Sequence, residues 1–291
     1  MVFSVNYLIL SAGVLMSSSA AVLVRLCNAP ALIIATYRLG ISSLVVLPLA
    51  VYKSGKQLVS GRSSDRVALI CSGIFLAIHF AFWISSLDHT SVASSAVLVN
   101  TIPIFVGLGG WLILKEKITR RLTIGTAVAF AGAATVALVD WEEGHGFFGD
   151  LLAVGGAITV SGHLLISRRQ RQRLDLLPYL GIVNTVSAVV LIALSISAQH
   201  DFFGYDDRTY LLFALLAIGP QLLGHTSFNY VLKRISPSVV ALALLGEPIG
   251  AALLAYLVLD EVPSSAFFFG APIIFSGILL ATFPAGSGKK T

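Results

Sequence analysis

Two ionisable side chains stand inside apolar sequence, Arg38 in LIIATYRLGISSLVV and Glu247 in VVALALLGEPIGAALLAY. A guanidinium fork matches a carboxylate, and a carboxylate in such surroundings can hold an ammonium group or a proton. Each has a plainer reading. Glu247 could serve only as an internal hydrogen-bonding or ion-pair partner, and Arg38 could tie helices together through backbone carbonyls and Glu247. Around them, His79 and Trp83 share a helical face at i, i+4, while Gln221, His225 and Asn229 recur at i, i+4, i+8 along one stripe. With Asn100 they could wall one polar, aromatic region; singly, each is the kind of residue that bonds helix to helix. His163, on the side of Gly156 and Thr159, is a candidate nearer the other end, and Tyr37, Phe80 and Tyr256 are candidate aromatic walls. Pro103 and Pro248 remove backbone donors and are expected to kink their helices, as hinges bordering a cavity or as packing adjustments. Small residues such as Ser17, Ser18, Gly155, Gly156 and Gly162 read as sites of close helix approach.

These residues need a scaffold, and composition says which kind. The chain has 291 residues, 56% of them hydrophobic and only 11% charged, against about 25% charged in ordinary soluble domains. Its mean hydropathy is +0.90. A soluble enzyme or nucleic-acid binder is excluded, and an all-α integral membrane protein is expected. With about 20 apolar residues per crossing, ten runs can be drawn: 4–24, 31–52, 67–87, 91–114, 121–140, 148–167, 178–198, 209–232, 236–259 and 264–284. The first lacks a basic leader region and reads as a retained span, not a cleaved signal.

The basic residues test this scheme independently, because cytoplasmic loops are enriched in Lys and Arg. With the N-terminus inside, sixteen of the nineteen fall in inner connections or the tail; only Arg25 and Arg208 fall outside, and Arg38 lies within the second run. The net charge of +5 is therefore topological and implies no nucleic-acid partner. Both termini are expected in the cytoplasm. Cys27 and Cys71 then lie toward opposite faces and cannot pair.

Adding 145 to Pro103, Glu116, Gly125 and Gly132 gives Pro248, Glu261, Gly270 and Gly277, the same types in the same order. Ser91/Ser236, Ala96/Ala241, Ile104/Ile249, Leu112/Leu257 and Leu114/Leu259 also match. Each copy holds five runs, an odd number, so the second must cross in the opposite sense, with Glu116 inside and Glu261 outside. Repeats of this kind, 1–145 and 146–291, are a construction of secondary transporters that bind solutes between the halves.

The segments TSVASSAVLVNTIPIFVGLGGWLILKEKITRRLTIG and SPSVVALALLGEPIGAALLAYLVLDEVPSSAFFFG, with TYRLG around Arg38, resemble the two EamA repeats of the drug/metabolite transporter superfamily. The likeness covers essentially the whole chain, and its overall run is most similar to YddG-type exporters of aromatic amino acids. It implies a ten-helix bundle in a bacterial inner membrane around a central cavity of alternating access. The working unit would be a single chain in lipid, carrying a small solute such as an amino acid, without metal or cofactor. Cationic drugs or other metabolites are the alternative cargo; sugar nucleotides would demand more cavity cations than Arg38 alone. There is no G-x-x-x-x-G-K-[ST] cradle, HExxH or G-x-S-x-G in the sequence, so neither ATP-driven pumping nor enzymatic chemistry is indicated. Asp206 and Asp207 read as a solvated acidic turn.

Overall fold

Inside hydrocarbon every backbone amide must find its partner within the chain, and a helix does this locally. In the computed structural model the described residues are 2–59, 63–114, 120–142, 146–231, 234, 243–244 and 246–282, and among them there is no strand. The helices are α1 Val2–Ser18, α2 Ala20–Leu26, α3 Ala31–Val59, α4 Ser63–Ser86, α5 Val92–Val99, α6 Ile102–Leu114, α7 Arg120–Glu142, α8 Phe147–Gln170 and α9 Leu176–Ser197. Then come α10 Asp207–Leu216, a π-helical segment Ala217–His225, α11 Thr226–Val231, α12 Gly246–Leu259 and α13 Ser265–Thr282.

Seven stretches are long and apolar enough to cross a bilayer, and three shorter apolar helices, Thr123–Val136, Gly246–Leu259 and Ser265–Leu280, accompany them. The burial pattern suits an apolar solvent. Leu8, Leu44, Leu211 and Phe269 are exposed, whereas Arg38, Ser42, Ser72, Ser94 and Ser187 are fully buried. Glu116 lies outside the described residues, as do Ser236, Ala241, Arg62, Lys115, Lys117, Lys233, Lys289 and Lys290.

Helices of the two repeats interleave. α3 packs on α9, α4 on α8, α1 on the π segment, α5 on α12 and α7 on α13. Hydrogen bonds run between α3 and α9 from Asn184 Nδ2 to Ser42 Oγ (2.9 Å), between Ser43 and Thr185 (2.6 Å) and between Thr36 and Ser195 (3.2 Å). The α7–α13 contact is made by the glycines that mark the repeat. A methyl on Gly277 would lie 2.5 Å from the Ala129 nitrogen and 2.6 Å from the Gly125 oxygen; one on Gly270 would lie 3.1 Å from the Gly132 oxygen. Gly125 thus meets the mate of Gly132, and Gly132 meets the mate of Gly125. As numbers rise along α7 they fall along α13, so the two helices run antiparallel. Such reciprocal contact is what a twofold relation requires.

Polar ties gather at two ends. At one, Arg25 Nη2 donates to Thr90 O (3.1 Å) and pairs with Glu261 (3.5 Å), whose Oε1 accepts the Val92 N–H (2.6 Å). At the other, Arg173 pairs with Asp65 (3.1 Å) and Gln57 Nε2 donates to Asp175 (2.8 Å). Asp206 is exposed and caps α10: its Oδ1 accepts the Thr209 N–H at 3.1 Å, and these Thr209 bonds hold its carboxyl below the ordinary carboxylate range. Burial pushes the Cys27 thiol up to about 12, which keeps it an inert thiol. Both cysteines are free.

Two spans are interrupted. α5 stops at Asn100, whose Nδ2 donates to Ala96 O (2.9 Å), and Thr101 separates it from α6. Pro103 is the second residue of α6 and Pro248 the third of α12. The expected mid-helix kink at Pro103 is instead a break just before it. A proline in the first turn has no amide bond to lose, and it disfavours helix in the residue it follows. The π segment, with Pro220 inside it, interrupts the helix of α10 and α11.

Candidate functional site

A cavity of about 70 Å³ lies at these interruptions, room for a few water molecules. It is lined by Ser17 and Ser18 of α1, Arg38 of α3, His79, Phe80 and Trp83 of α4, Asn100 at the end of α5, His225 of the π segment and Glu247 in the first turn of α12. Two elements make room for these groups. The α5–α6 break presents Asn100 and Ile102 to the space, and Ala20, Ala21, Ala96 and Ala251 fill its apolar margin with little bulk.

Arg38 is 0% exposed. Its Nε donates to Gln221 Oε1 at 3.0 Å, and its Cζ lies 4.3 Å from the centroid of the Phe80 ring and 5.6 Å from that of Trp83. A weakly hydrated, planar cation over aromatic faces is well placed in an apolar interior. Nη1 and Nη2 have no hydrogen-bond partner. Glu247 Oε1 and Trp83 Nε1 are likewise buried without a partner. An acid in the first turn of a helix is favoured by the dipole there, and Glu247 stands in the first turn of α12.

The His79 and Trp83 rings are nearly parallel, 5° apart in plane with centroids 6.3 Å apart. His79 Nδ1 lies 2.9 Å from Gly156 O. A carbonyl only accepts, so Nδ1 carries the proton and the ring is fixed against α8. His225 packs its ring on Phe80 and Phe228 at 5.7 and 5.9 Å.

His79, Trp83, Asn100, Arg38, His225 and Glu247 are thus brought together, with Gln221 joined to them through Arg38. The stripe Gln221, His225, Asn229 does not persist. A π-helix has more residues per turn than an α-helix, and Asn229 bonds the His225 carbonyl (3.0 Å) away from the cavity lining. Tyr37 is not at the cavity: its hydroxyl donates to Phe202 O (2.7 Å) and its ring stacks on Phe213 at 4.4 Å. Tyr256 is 53% exposed. His163 belongs to a separate buried cluster, its Nδ1 2.9 Å from Ser72 Oγ, with Ser167 and Tyr179 completing it. Ser17 and Ser18 line the cavity although their size alone suggested packing; no spacing signal marked them. Gly155, Gly156 and Gly162 do admit close neighbours, Phe82, Trp83 and Phe75 of α4. Among the described residues no three His, Cys, Asp or Glu side chains gather as metal ligands.

Two matched repeats of apolar helices around buried charges have the build of a small-solute carrier. The chain belongs to the EamA-like transporter family, which it matches over residues 4–138 and 147–283. It is 23% identical to an uncharacterized transporter of Archaeoglobus fulgidus, over 86% of each chain. It is 23% identical to a probable terminal-alkyne amino-acid exporter of Streptantibioticus cattleyicolor, covering 66% of this chain and 64% of that one. A riboflavin transporter of Brucella anthropi is 28% identical over 48% of this chain and 47% of its own. A solved crystal structure shares the fold, with a TM-score of 0.68 over 96% of this chain and 97% of that one at 19% identity.

Proposed function

We propose that the chain is a secondary transporter that exports small organic solutes, amino acids including aromatic ones first among them, by alternating access. It crosses the inner membrane ten times with both termini in the cytoplasm, and its repeats, 1–145 and 146–291, are inverted with respect to each other. The antiparallel, reciprocal glycine contact of α7 and α13 supports that inversion. The basic residues described at the Asp65 end, Arg66, Arg168, Arg169, Arg171 and Arg173, support the placing of that end in the cytoplasm.

The observation that carries the reading is the cavity itself, a buried space between helices of both repeats with a guanidinium, a carboxylate and aromatic rings on its walls. At about 70 Å³ it has room for a few water molecules only, so a solute must be admitted by movement of the surrounding helices. The break before Pro103, and Pro248 in the first turn of α12, are where such movement would concentrate. The family and its relatives are transporters, which supports transport over enzymatic chemistry. The amino-acid exporter among the relatives supports the cargo.

The test is counterflow by purified protein in liposomes, with a panel of radiolabelled amino acids, riboflavin and a cationic drug, at zero and imposed pH gradient. Saturable counterflow of amino acids is expected. Counterflow of riboflavin or the drug alone would replace the cargo, and flux that neither saturates nor shows counterflow would make the protein a passive channel.

A further inference from the structure

Two opposite charges are left incomplete in one cavity. Arg38 bonds Gln221 through Nε and lays its face on Phe80, leaving Nη1 and Nη2 unpartnered, and Glu247, whose carboxylate has the Ser17 and Asn100 side chains as hydrogen-bonding neighbours, keeps Oε1 buried without a partner. They come from different repeats, line the same space and form no ion pair with each other. A buried, unsatisfied charged group is costly, and two charges kept only to hold helices together would gain most by closing on one another. Here they line one cavity without a salt bridge between them. Among the charged groups with a buried unpartnered atom, Arg171 and Asp150 lie outside the cavity and are each bonded through another atom, Arg171 Nη1 to Leu174 O and Asp150 Oδ1 to Thr90 Oγ1.

The missing complements are a carboxylate for the fork and an ammonium for the acid, and one molecule can bring both. We propose that the cavity selects α-amino acids by their head group, Arg38 taking the carboxylate and Glu247 the ammonium, so that neither the matching amine nor the matching acid is carried. This rests on the cavity being the transport site, as in the function proposed above. Charge bookkeeping supports it. With a guanidinium and a carboxylate on the walls, a bound zwitterion leaves the site neutral with each charge opposed, whereas an amine strands the guanidinium and an acid strands Glu247. Trp83, with its ring beside Arg38 and its Nε1 unpartnered, lines the same cavity and does not distinguish the three ligands.

The experiment uses the full chain in liposomes loaded with unlabelled phenylalanine and follows counterflow of labelled phenylalanine against phenylalanine, phenethylamine and 3-phenylpropionate. The amine and the acid are each expected to compete about thirtyfold more weakly, the scale of leaving one buried charge unpaired. Arg38→Gln should bring the amine to within about threefold of the amino acid, and Glu247→Gln should do the same for the acid. Arg38→Lys, which keeps the charge without the fork, should fall between wild type and Arg38→Gln, and each variant's melting in detergent reports whether it folds. If the amine and the acid compete with the wild-type protein within about threefold of phenylalanine, head-group selection is overturned while the transporter reading stands. If no solute shows saturable counterflow, the transporter reading falls and takes this inference with it.

Discussion

Two buried polar clusters sit in the same bundle, each with a histidine, and they are finished differently. In one, Ser72, His163, Ser167 and Tyr179 join α4, α8 and α9, and none of their buried side-chain atoms lacks a partner. In the other, around the cavity, Arg38, Trp83 and Glu247 each leave buried atoms unpartnered. A satisfied network fixes one packing, because every alternative would break bonds in a low-dielectric interior. An unsatisfied one keeps binding capacity in reserve for a molecule that comes and goes. Between these two clusters, the residual valence of the atoms marks the difference where residue type does not.

Substitutions that separate stability from transport test the division. The largest effect is expected for Glu247→Gln: amino-acid counterflow should fall about thirtyfold, while melting in detergent holds or rises because an unpaired buried charge has been removed. Unchanged counterflow by correctly inserted protein would remove Glu247 from the site. Tyr179→Phe should do the reverse, since it strips a hydroxyl from the satisfied cluster. A loss of about 1–3 kcal/mol of stability, read by denaturant or thermal unfolding, should leave the transport KM unaltered; a KM shift without a stability loss would merge the two clusters. The smallest effect belongs to Trp83→Phe, which keeps a ring and deletes the unpartnered Nε1 donor. Stability should fall by about 1 kcal/mol as the smaller ring leaves a void in a buried site, and KM should rise only a few fold, about 3- to 10-fold, if that donor reaches the solute.

Much of the frame was legible because hydrocarbon is an exacting solvent. Arg38 and Glu247 stood out as charges in apolar runs, and the 145-residue spacing marked glycines that turn out to face each other across α7 and α13. The parts that escaped depend on local backbone geometry or on facing. A stripe computed at α-helical pitch could not anticipate the π segment at Ala217–His225, which keeps Gln221 and His225 near Arg38 and Phe80 but turns Asn229 elsewhere. Tyr37 and Tyr256 have a suitable type for a cavity wall, yet one belongs to the ring cluster with Tyr205, Tyr210 and Phe213 and the other is largely exposed. Ser17 and Ser18 were hidden by their size, which suits close packing and cavity lining equally.

The reciprocal glycines of α7 and α13 carry a consequence for how this molecule can diverge. Gly270 leaves room for the Gly132 backbone and for Val136, and Gly277 for Gly125 and Ala129, so a bulkier residue on one helix is tolerated only where its opposite number retreats. Adaptation to a new cargo is thus free to alter cavity walls one position at a time, whereas the seam at the periphery must be rewritten in pairs.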